Sequence, residues 1–262
     1  MKKIKMFAGI LAGLMLCAAA AGCGGGTGSG DKKAAEKKEL IVGTNPSFAP
    51  FEFTDKKDGK VMGFDIDLIN ALAKKAGYEK VTVKSIAFDG LIPSLESGNI
   101  DVSITGMSIT DERKKKVNFT DPYYESGLMA VVKKDNTAIN GLDDLKGKTI
   151  AVQLGTTGAK YAETIEGAKV KTFDSSDLAC LELKNGGADA VISDLPVLQY
   201  FLKQGGSQYA KSVGTPKKGD FYGIATAKKN KDLCDKLNKA LAELKKDGEY
   251  QKIYDKWFGD VK

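Results

Sequence analysis

Residues 95–104 and 183–192 read as one ten-residue unit written twice. Leu95, Gly98, Asp101 and Ile104 recur as Leu183, Gly186, Asp189 and Ile192 at identical offsets. In each copy the leucine closes a helical stripe, the glycine ends the helix, and an apolar-alternating strand follows the aspartate. Four matches in ten also arise by chance among helix–turn–strand units. If the echo is real, each half of the chain carries an equivalent unit. The first strand then leads to Thr105 and Gly106, the second to Ser193 and Asp194. Open α/β sheets bind their ligands at the carboxyl ends of strands, so the two ends would face each other across a cleft.

The flanking patterns agree with two such halves. Leu40, Ile41 and Val42 form a buried-strand run. Residues 51–53 and 61–62 read as a hairpin around Asp58 and Gly59. Asp65 is placed to cap a helix with Leu68, Ile69, Leu72, Ala73 and Ala76 on one face, ended by Gly77. A strand at 81–83, a short helix at 89–97 and a strand at 100–104 complete a β-α-β-α-β series, which implies a mainly parallel sheet. The second half repeats the alternation: a short helix at 142–145, strands at 149–152 and 170–173, and helices at 158–165 and from 176 or 177 to Gly186. A strand at 188–192 and a helix at 195–202 follow. A strand at 222–225 and two helices close the chain, carrying Leu233, Leu237, Leu241 and Leu244, then Tyr250, Ile253, Tyr254, Trp257 and Phe258 as core-facing stripes.

The N-terminus has a different character. Lys2, Lys3 and Lys5 precede an apolar run too short to span a bilayer, and small residues lead to Cys23. This is a signal-peptide layout. Ala20, Ala21, Gly22 and Cys23 resemble a bacterial lipobox, in which the cysteine is lipidated and becomes the first residue; the alternative is an ordinary secretory signal with an incidental cysteine. Residues 24–38 are Gly/Ser-rich, then Lys/Ala/Glu-rich, and read as a flexible tether. The division expected is therefore a signal peptide at 1–22, a lipidated cysteine and tether at 23–38, and a folded part from 39.

Lysine and arginine number 40 against 34 acidic residues. Without the three signal lysines the excess is only about +3, and no basic arm with interleaved aromatics occurs, which argues against nucleic acid as a partner. Histidine is absent, which removes the commonest general base and transition-metal ligand together. No metal and no cofactor are expected. Cys180 and Cys234 fall on different helices and read as two unpaired thiols.

Chemistry concentrates at the first strand end. Gly106 breaks the strand, Thr110 reads as an N-cap followed by Asp111 and Glu112, and Arg113 ends that first turn. One guanidinium, backbone N–H groups and the hydroxyls of Thr105 and Ser108 would converge there, which suits a planar carboxylate; an exposed helix arginine beside Lys114, Lys115 and Lys116 is the competing reading. Asp194 at the second strand end offers the opposite charge, for an ammonium, or else serves as a plain helix cap. Gly155, Thr156, Thr157 and Gly158 before a helix form a second anion-friendly turn.

Five motifs in order resemble one family: residues 43–53 (GTNPSFAPFEF), 63–68 (GFDIDL), 106–113 (GMSITDER), 119–124 (FTDPYY) and 254–259 (YDKWFG). Together they are similar to the extracellular solute-binding proteins of polar amino-acid ABC importers. The resemblance implies a periplasmic-binding-protein-like α/β fold with two lobes joined by two crossing strands. The larger lobe would be 39–125 plus 221–262, the smaller 126–220. It also implies a lipid-anchored monomer facing the periplasm or exterior, whose partners are a small amino acid and the membrane subunits of a permease.

Carried over by motif, Arg113 would pair with an α-carboxylate, helped by backbone at Ser108 and Thr157. Thr105 or Gly106 and Asp194 would take the α-ammonium. Phe48, on a loop exposed between Pro46 and Pro50, and Phe88 would sandwich the side chain, with Asn45 and Gln153 setting selectivity. Two neutral amides there favour glutamine or another neutral polar ligand. Arginine or lysine is the alternative, with Glu52 as a possible source of charge. A dehydratase acting through carboxylates and a sensor module are the rival functions on the same fold.

Overall fold

The computed structural model describes residues 38–259; the expected signal peptide, Cys23 and nearly all of the tether lie outside them. The chain begins with β1 (Glu39–Thr44), β2 (Ser47–Phe48), β3 (Glu52–Thr54), β4 (Val61–Met62), α1 (Phe64–Lys75), β5 (Lys80–Ser85) and α2 (Leu91–Glu96). It continues through β6 (Val102–Ser103), α3 (Asp111–Lys116), β7 (Val117–Phe119), β8 (Tyr124–Lys133), β9 (Thr149–Gln153), α4 (Thr157–Glu163) and β10 (Lys169–Phe173). The remainder is α5 (Ser176–Asn185), β11 (Ala190–Asp194), α6 (Leu195–Lys203), β12 (Ala210–Tyr222), β13 (Ala225–Ala227), α7 (Lys231–Lys246) and α8 (Glu249–Phe258).

Two five-stranded sheets result, ordered β5-β1-β6-β13-β7 and β10-β9-β11-β8-β12. In the first, β5, β1 and β6 run parallel and β13 is antiparallel to its neighbours. In the second, β10, β9 and β11 are parallel, and β8 is antiparallel to both β11 and β12. The chain passes between the sheets twice, before β8 and after β12, where Tyr124 pairs with Tyr222. These two strands join the lobes. Each lobe buries its central parallel strands, β1 and β6 in one and β9 and β11 in the other, on both faces, while the edge strands β5 and β10 stay partly exposed. In the second sheet Ile150, Val152, Ala190 and Ile192 feed one apolar cluster while Ala151 and Val191 feed another. The first sheet packs Leu40, Val42 and Val102 against α1 and α7 through Leu68, Leu72, Leu237 and Leu241.

The echoed units are structurally equivalent. Gly98 and Gly186 both have left-handed backbone, with φ of 78° and 82°. Asp101 Oδ2 accepts from Ile41 N, and Asp189 Oδ2 from Thr149 N, each at 2.8 Å. Each aspartate thus ties the start of its own strand to the start of the parallel neighbour, which explains its recurrence.

Several expectations are corrected. Asp65 does not cap α1. Gly63 holds the N-cap position with no side-chain bond, and Asp65 is fully buried inside the first turn. Phe48 is no exposed loop residue; it lies in β2, is 6% exposed, and packs near Phe51 and Tyr222. The strand expected at 222–225 is instead the end of the long β12 and the separate β13. Gly214, Pro216, Lys217 and Gly219 hide β12 from pattern reading. The edge position tolerates a proline, and the register shifts between Val213 and Lys217. The helix expected at 158–165 spans Thr157–Glu163, and α5 is capped by Ser175. Cys180 and Cys234 are separate, buried thiols. No helix among the described residues is long and apolar enough to cross a membrane.

Candidate functional site

The carboxyl end of β6 meets the loops after β9 and β11, and the side chains there close on one another. One pocket is lined by Asn45, Phe48, Phe88, Thr105, Gly106, Ser108, Arg113, Gln153, Thr157 and Asp194, joined by Glu52 and Thr156. The ten residues expected to touch a ligand line this pocket together; Cys23 lies outside the described residues. Among the described residues no group of three metal-ligating side chains forms.

Arg113 is only 8% exposed, although its three lysine neighbours on α3 are exposed. Thr110 caps α3 by accepting from Arg113 N at 3.2 Å. That turn points the guanidinium inward, where Nη1 donates to Ser108 O at 2.7 Å and Nη2 to Gly155 O at 3.0 Å. Its Cζ lies 5.2 Å from the Phe88 ring centroid. The exposed-arginine reading is therefore overturned. Burial depresses the guanidinium pKa, opposed by the charges of Asp220, Asp194 and Glu112. A buried cation of this kind needs an anionic partner for full compensation.

Asp194 sits at the N-cap position of α6 but makes no capping bond. Its carboxylate turns into the pocket, 4% exposed, and accepts from Ser126 Oγ at 3.2 Å; Tyr222 OH donates in turn to Ser126 Oγ at 3.1 Å. Burial pushes its pKa up to about 7, with repulsion from Asp220 adding to the rise. Ser126, Tyr222 and Asp220 carry no local signal in the sequence, because their partners lie on other strands.

The opposite end of the pocket is made of amides. Asn45 Nδ2 donates to Ile86 O at 3.1 Å, which aims its Oδ1 inward. That oxygen accepts from Gln153 Nε2 at 2.9 Å and from Ser47 Oγ at 2.6 Å. Ser176 Oγ donates to Gln153 Oε1, and Gln153 Nε2 also reaches Asp174 O. Thr157 Oγ1 donates to Asp220 Oδ2 at 2.9 Å and lies 3.4 Å from Ser108 Oγ.

Glu52, the expected source of charge for a ligand side chain, has its carboxyl engaged inside the protein. It is fully buried, and Thr105 Oγ1 donates to its Oε1 at 2.8 Å. Burial raises its pKa well above the usual carboxylate range, and the neighbouring Asp65 charge raises it further.

Residues 40–260 match the family model for bacterial extracellular solute-binding proteins, family 3. The chain belongs to this family. Among relatives of this solute-binding protein, the arginine-binding periplasmic protein of Mannheimia haemolytica is 42% identical over 86% of this chain and 93% of its own length. An ancestral arginine-binding protein, solved bound to arginine, superposes with a TM-score of 0.82 at 51% identity, covering 85% of this chain and 99% of the other. The same kind of ancestral protein, solved bound to glutamine, gives a TM-score of 0.79 at 51% identity over the same shares.

Proposed function

We propose that this solute-binding protein captures a polar L-amino acid between its lobes and delivers it to the membrane subunits of an ABC importer. The observation that carries the reading is the pairing of opposite buried charges in one pocket. Arg113, with Ser108 and Thr157 beside it, would hold the α-carboxylate. Asp194 and Thr105 would hold the α-ammonium. Phe48 and Phe88 would flank the side chain, and Asn45 and Gln153 would meet its tip. Lobes of 39–125 with 221–262 and of 126–220 would close over the ligand as two bodies.

Arginine is the ligand we favour. Two neutral amides alone argued for glutamine, but the tip of the pocket also presents carbonyl oxygens that a guanidinium can engage. Gln153 Nε2 spends its two N–H groups on Asn45 Oδ1 and Asp174 O, and Ser47 Oγ also donates to Asn45 Oδ1; a ligand guanidinium would take over these bonds. A guanidinium brings five donors to such acceptors and stacks on aromatic faces. The arginine-binding relatives favour the same ligand. Glutamine remains the second reading, supported by the ancestral structure that holds it.

Calorimetric titration with each proteinogenic amino acid tests this, with arginine expected to bind tightest and glutamine next. No binding by any of them would sink the import reading. Recovery of the bound amino acid unchanged separates a carrier from a dehydratase. We further propose that the protein is a monomer exported to the cell exterior or periplasm and lipidated at Cys23. Cys23→Ala should then release it from the membrane fraction, and a wild type that carries no lipid would overturn the anchor.

A further inference from the structure

Below the pocket lie two carboxyl groups that ligand binding as described does not use. Glu52, on β3, and Asp65, on α1, are both fully buried, and their carboxyls are within hydrogen-bond reach of each other. Two of the four oxygens accept three hydrogen bonds between them. Asp65 Oδ2 accepts from Gly106 N and from Tyr123 OH, each at 2.8 Å. Glu52 Oε1 accepts from Thr105 Oγ1 at 2.8 Å. Glu52 Oε2 and Asp65 Oδ1 are buried and have no other partner. Two facing carboxylates cannot both ionise in such a place, and one proton between the orphaned oxygens satisfies both. Tyr123 is the titratable neighbour bonded to the pair, and Arg113 and Asp194 are the charges lining the pocket above it.

We infer that Glu52 and Asp65 share one proton and thereby act as positioning residues that make the β6 strand end acceptor-only towards the ligand. The reasoning follows the hydrogens. Thr105 has one hydroxyl proton, and Glu52 Oε1 takes it. Thr105 Oγ1 already accepts from Asn45 N at 3.0 Å, so its remaining lone pair is what the pocket sees. Gly106 has one N–H, and Asp65 takes that. Neither residue has a donor left to offer. A protonated amine fits such a wall, whereas a ligand with an acceptor or nothing at that position leaves it unpaired. Held between Glu52 Oε2 and Asp65 Oδ1, the shared proton leaves Glu52 Oε1 and Asp65 Oδ2 as acceptors for Thr105 and Gly106, and the wall so formed selects α-amino acids over their des-amino counterparts. This claim rests on the amino-acid reading above.

Substitutions that move hydrogens at Glu52 and Asp65 test it, with the isosteric amides controlling for the shape change of an alanine. The probes are L-arginine and guanidinovaleric acid, its des-amino analogue, measured by calorimetry. Glu52→Ala frees the Thr105 proton to turn into the pocket, and the preference for arginine over the analogue should fall by about tenfold or more. Glu52→Gln presents an N–H to Asp65 and an oxygen to Thr105, so it should rescue the preference to within about threefold. The double variant Glu52→Gln, Asp65→Asn places two amide donors face to face. One amide must then turn, so an N–H meets either Thr105 Oγ1 or Gly106 N, a donor is freed at the strand end in either case, and the preference should be lost again. A double variant that discriminates like wild type would overturn the proposal, as would a Glu52→Gln that fails to rescue. Infrared spectra with isotope-labelled glutamate give a second reading that needs no ligand. A buried carboxylic-acid carbonyl stretch should be present at neutral pH in wild type and absent in Glu52→Gln; its absence from wild type would overturn the shared proton even if arginine binds as proposed. If no amino acid binds but the stretch is present, the import reading and the selective role fall together while the shared proton stands.

Discussion

Gln153 Nε2 donates to Asn45 Oδ1 at 2.9 Å, so the two amides expected to set selectivity hold each other across the cleft. They come from the two different sheets, at the ends of β1 and β9. With Arg113 Nη2 on Gly155 O, this bond keeps the lobes together at both ends of the pocket. A ligand side chain that reaches the tip has to replace it with bonds at least as good.

That replacement gives the selectivity prediction. Asn45→Asp turns the inward oxygen into part of a carboxylate. Hydrogen bonds to charged groups are stronger than neutral ones by about 1 kcal/mol, so arginine should gain roughly fivefold over glutamine. Calorimetry of both ligands with both proteins measures the change, and an unchanged ranking would remove Asn45 from the side-chain subsite.

Arg113→Ala should weaken every amino acid alike, because all share the carboxylate. Removing one member of a buried charge pair costs about 2–5 kcal/mol, a loss of roughly 30- to 5000-fold in affinity. Lysine should rescue only in part, since a point charge cannot reproduce the fork. The buried setting of Arg113 adds a second expectation: the unliganded protein loses the tie to Gly155 O and should open more readily, which small-angle scattering would detect. Near-wild-type affinity would refute the carboxylate role.

Asp194 predicts opposite pH responses for folding and binding. Its folded pKa, about 7, lies above the unfolded value of ~3.9. Its stabilising share is therefore fully present below the unfolded value and is lost as pH rises through about 7. Asp65, raised to about 6, acts with the same sign. The unliganded melting temperature should fall across that window, and Asp194→Asn should flatten the slope. An ammonium, by contrast, needs the carboxylate. Ligand affinity should weaken below about pH 7, approaching tenfold per unit, with Arg113, Asp220, Ser126 and Tyr222 as the groups whose surroundings tune the midpoint. Affinity independent of pH between 5 and 8 in the wild type would show that Asp194 carries no ammonium.

Gly106→Ala tests the backbone at the strand end. Gly106 has φ of 54°, and an added Cβ would lie 2.6 Å from a ring carbon of Phe48. Strain and displacement of the ring together should cost about 1–3 kcal/mol of stability. Ligand affinity should fall as well, because Phe48 lines the pocket. A variant that melts and binds like wild type would show that the ring is free to move aside.

Much of this molecule is legible in its sequence for local reasons. Alternation and helical stripes report which faces are buried, so the parallel core strands and the helices α1, α5, α6, α7 and α8 were readable to within a few residues. Glycine in left-handed turns and Thr110 as a cap act over one turn. The echo of Asp101 in Asp189 is legible because both make the same bond to the next strand. The pocket residues were legible because motif resemblance marks positions near strand ends, and strand ends of this topology converge. Other features were decided only by tertiary structure. Asp65 looked like a helix cap until its partner, Gly106, was seen 41 residues away. Glu52 looked like a charge until its burial, with Asp65 beside it, was seen to raise its pKa well above the usual carboxylate range. Arg113 had a plain surface reading that burial removed, and Asp194 a plain helix-cap reading that its missing capping bond removed. Strand β12 lacks any strand pattern and exists because β8 supplies its hydrogen-bond partner. Periodicity records which way a side chain faces; its protonation state and the direction of its hydrogen bonds depend on dielectric and on neighbours far along the chain, which only the folded arrangement supplies.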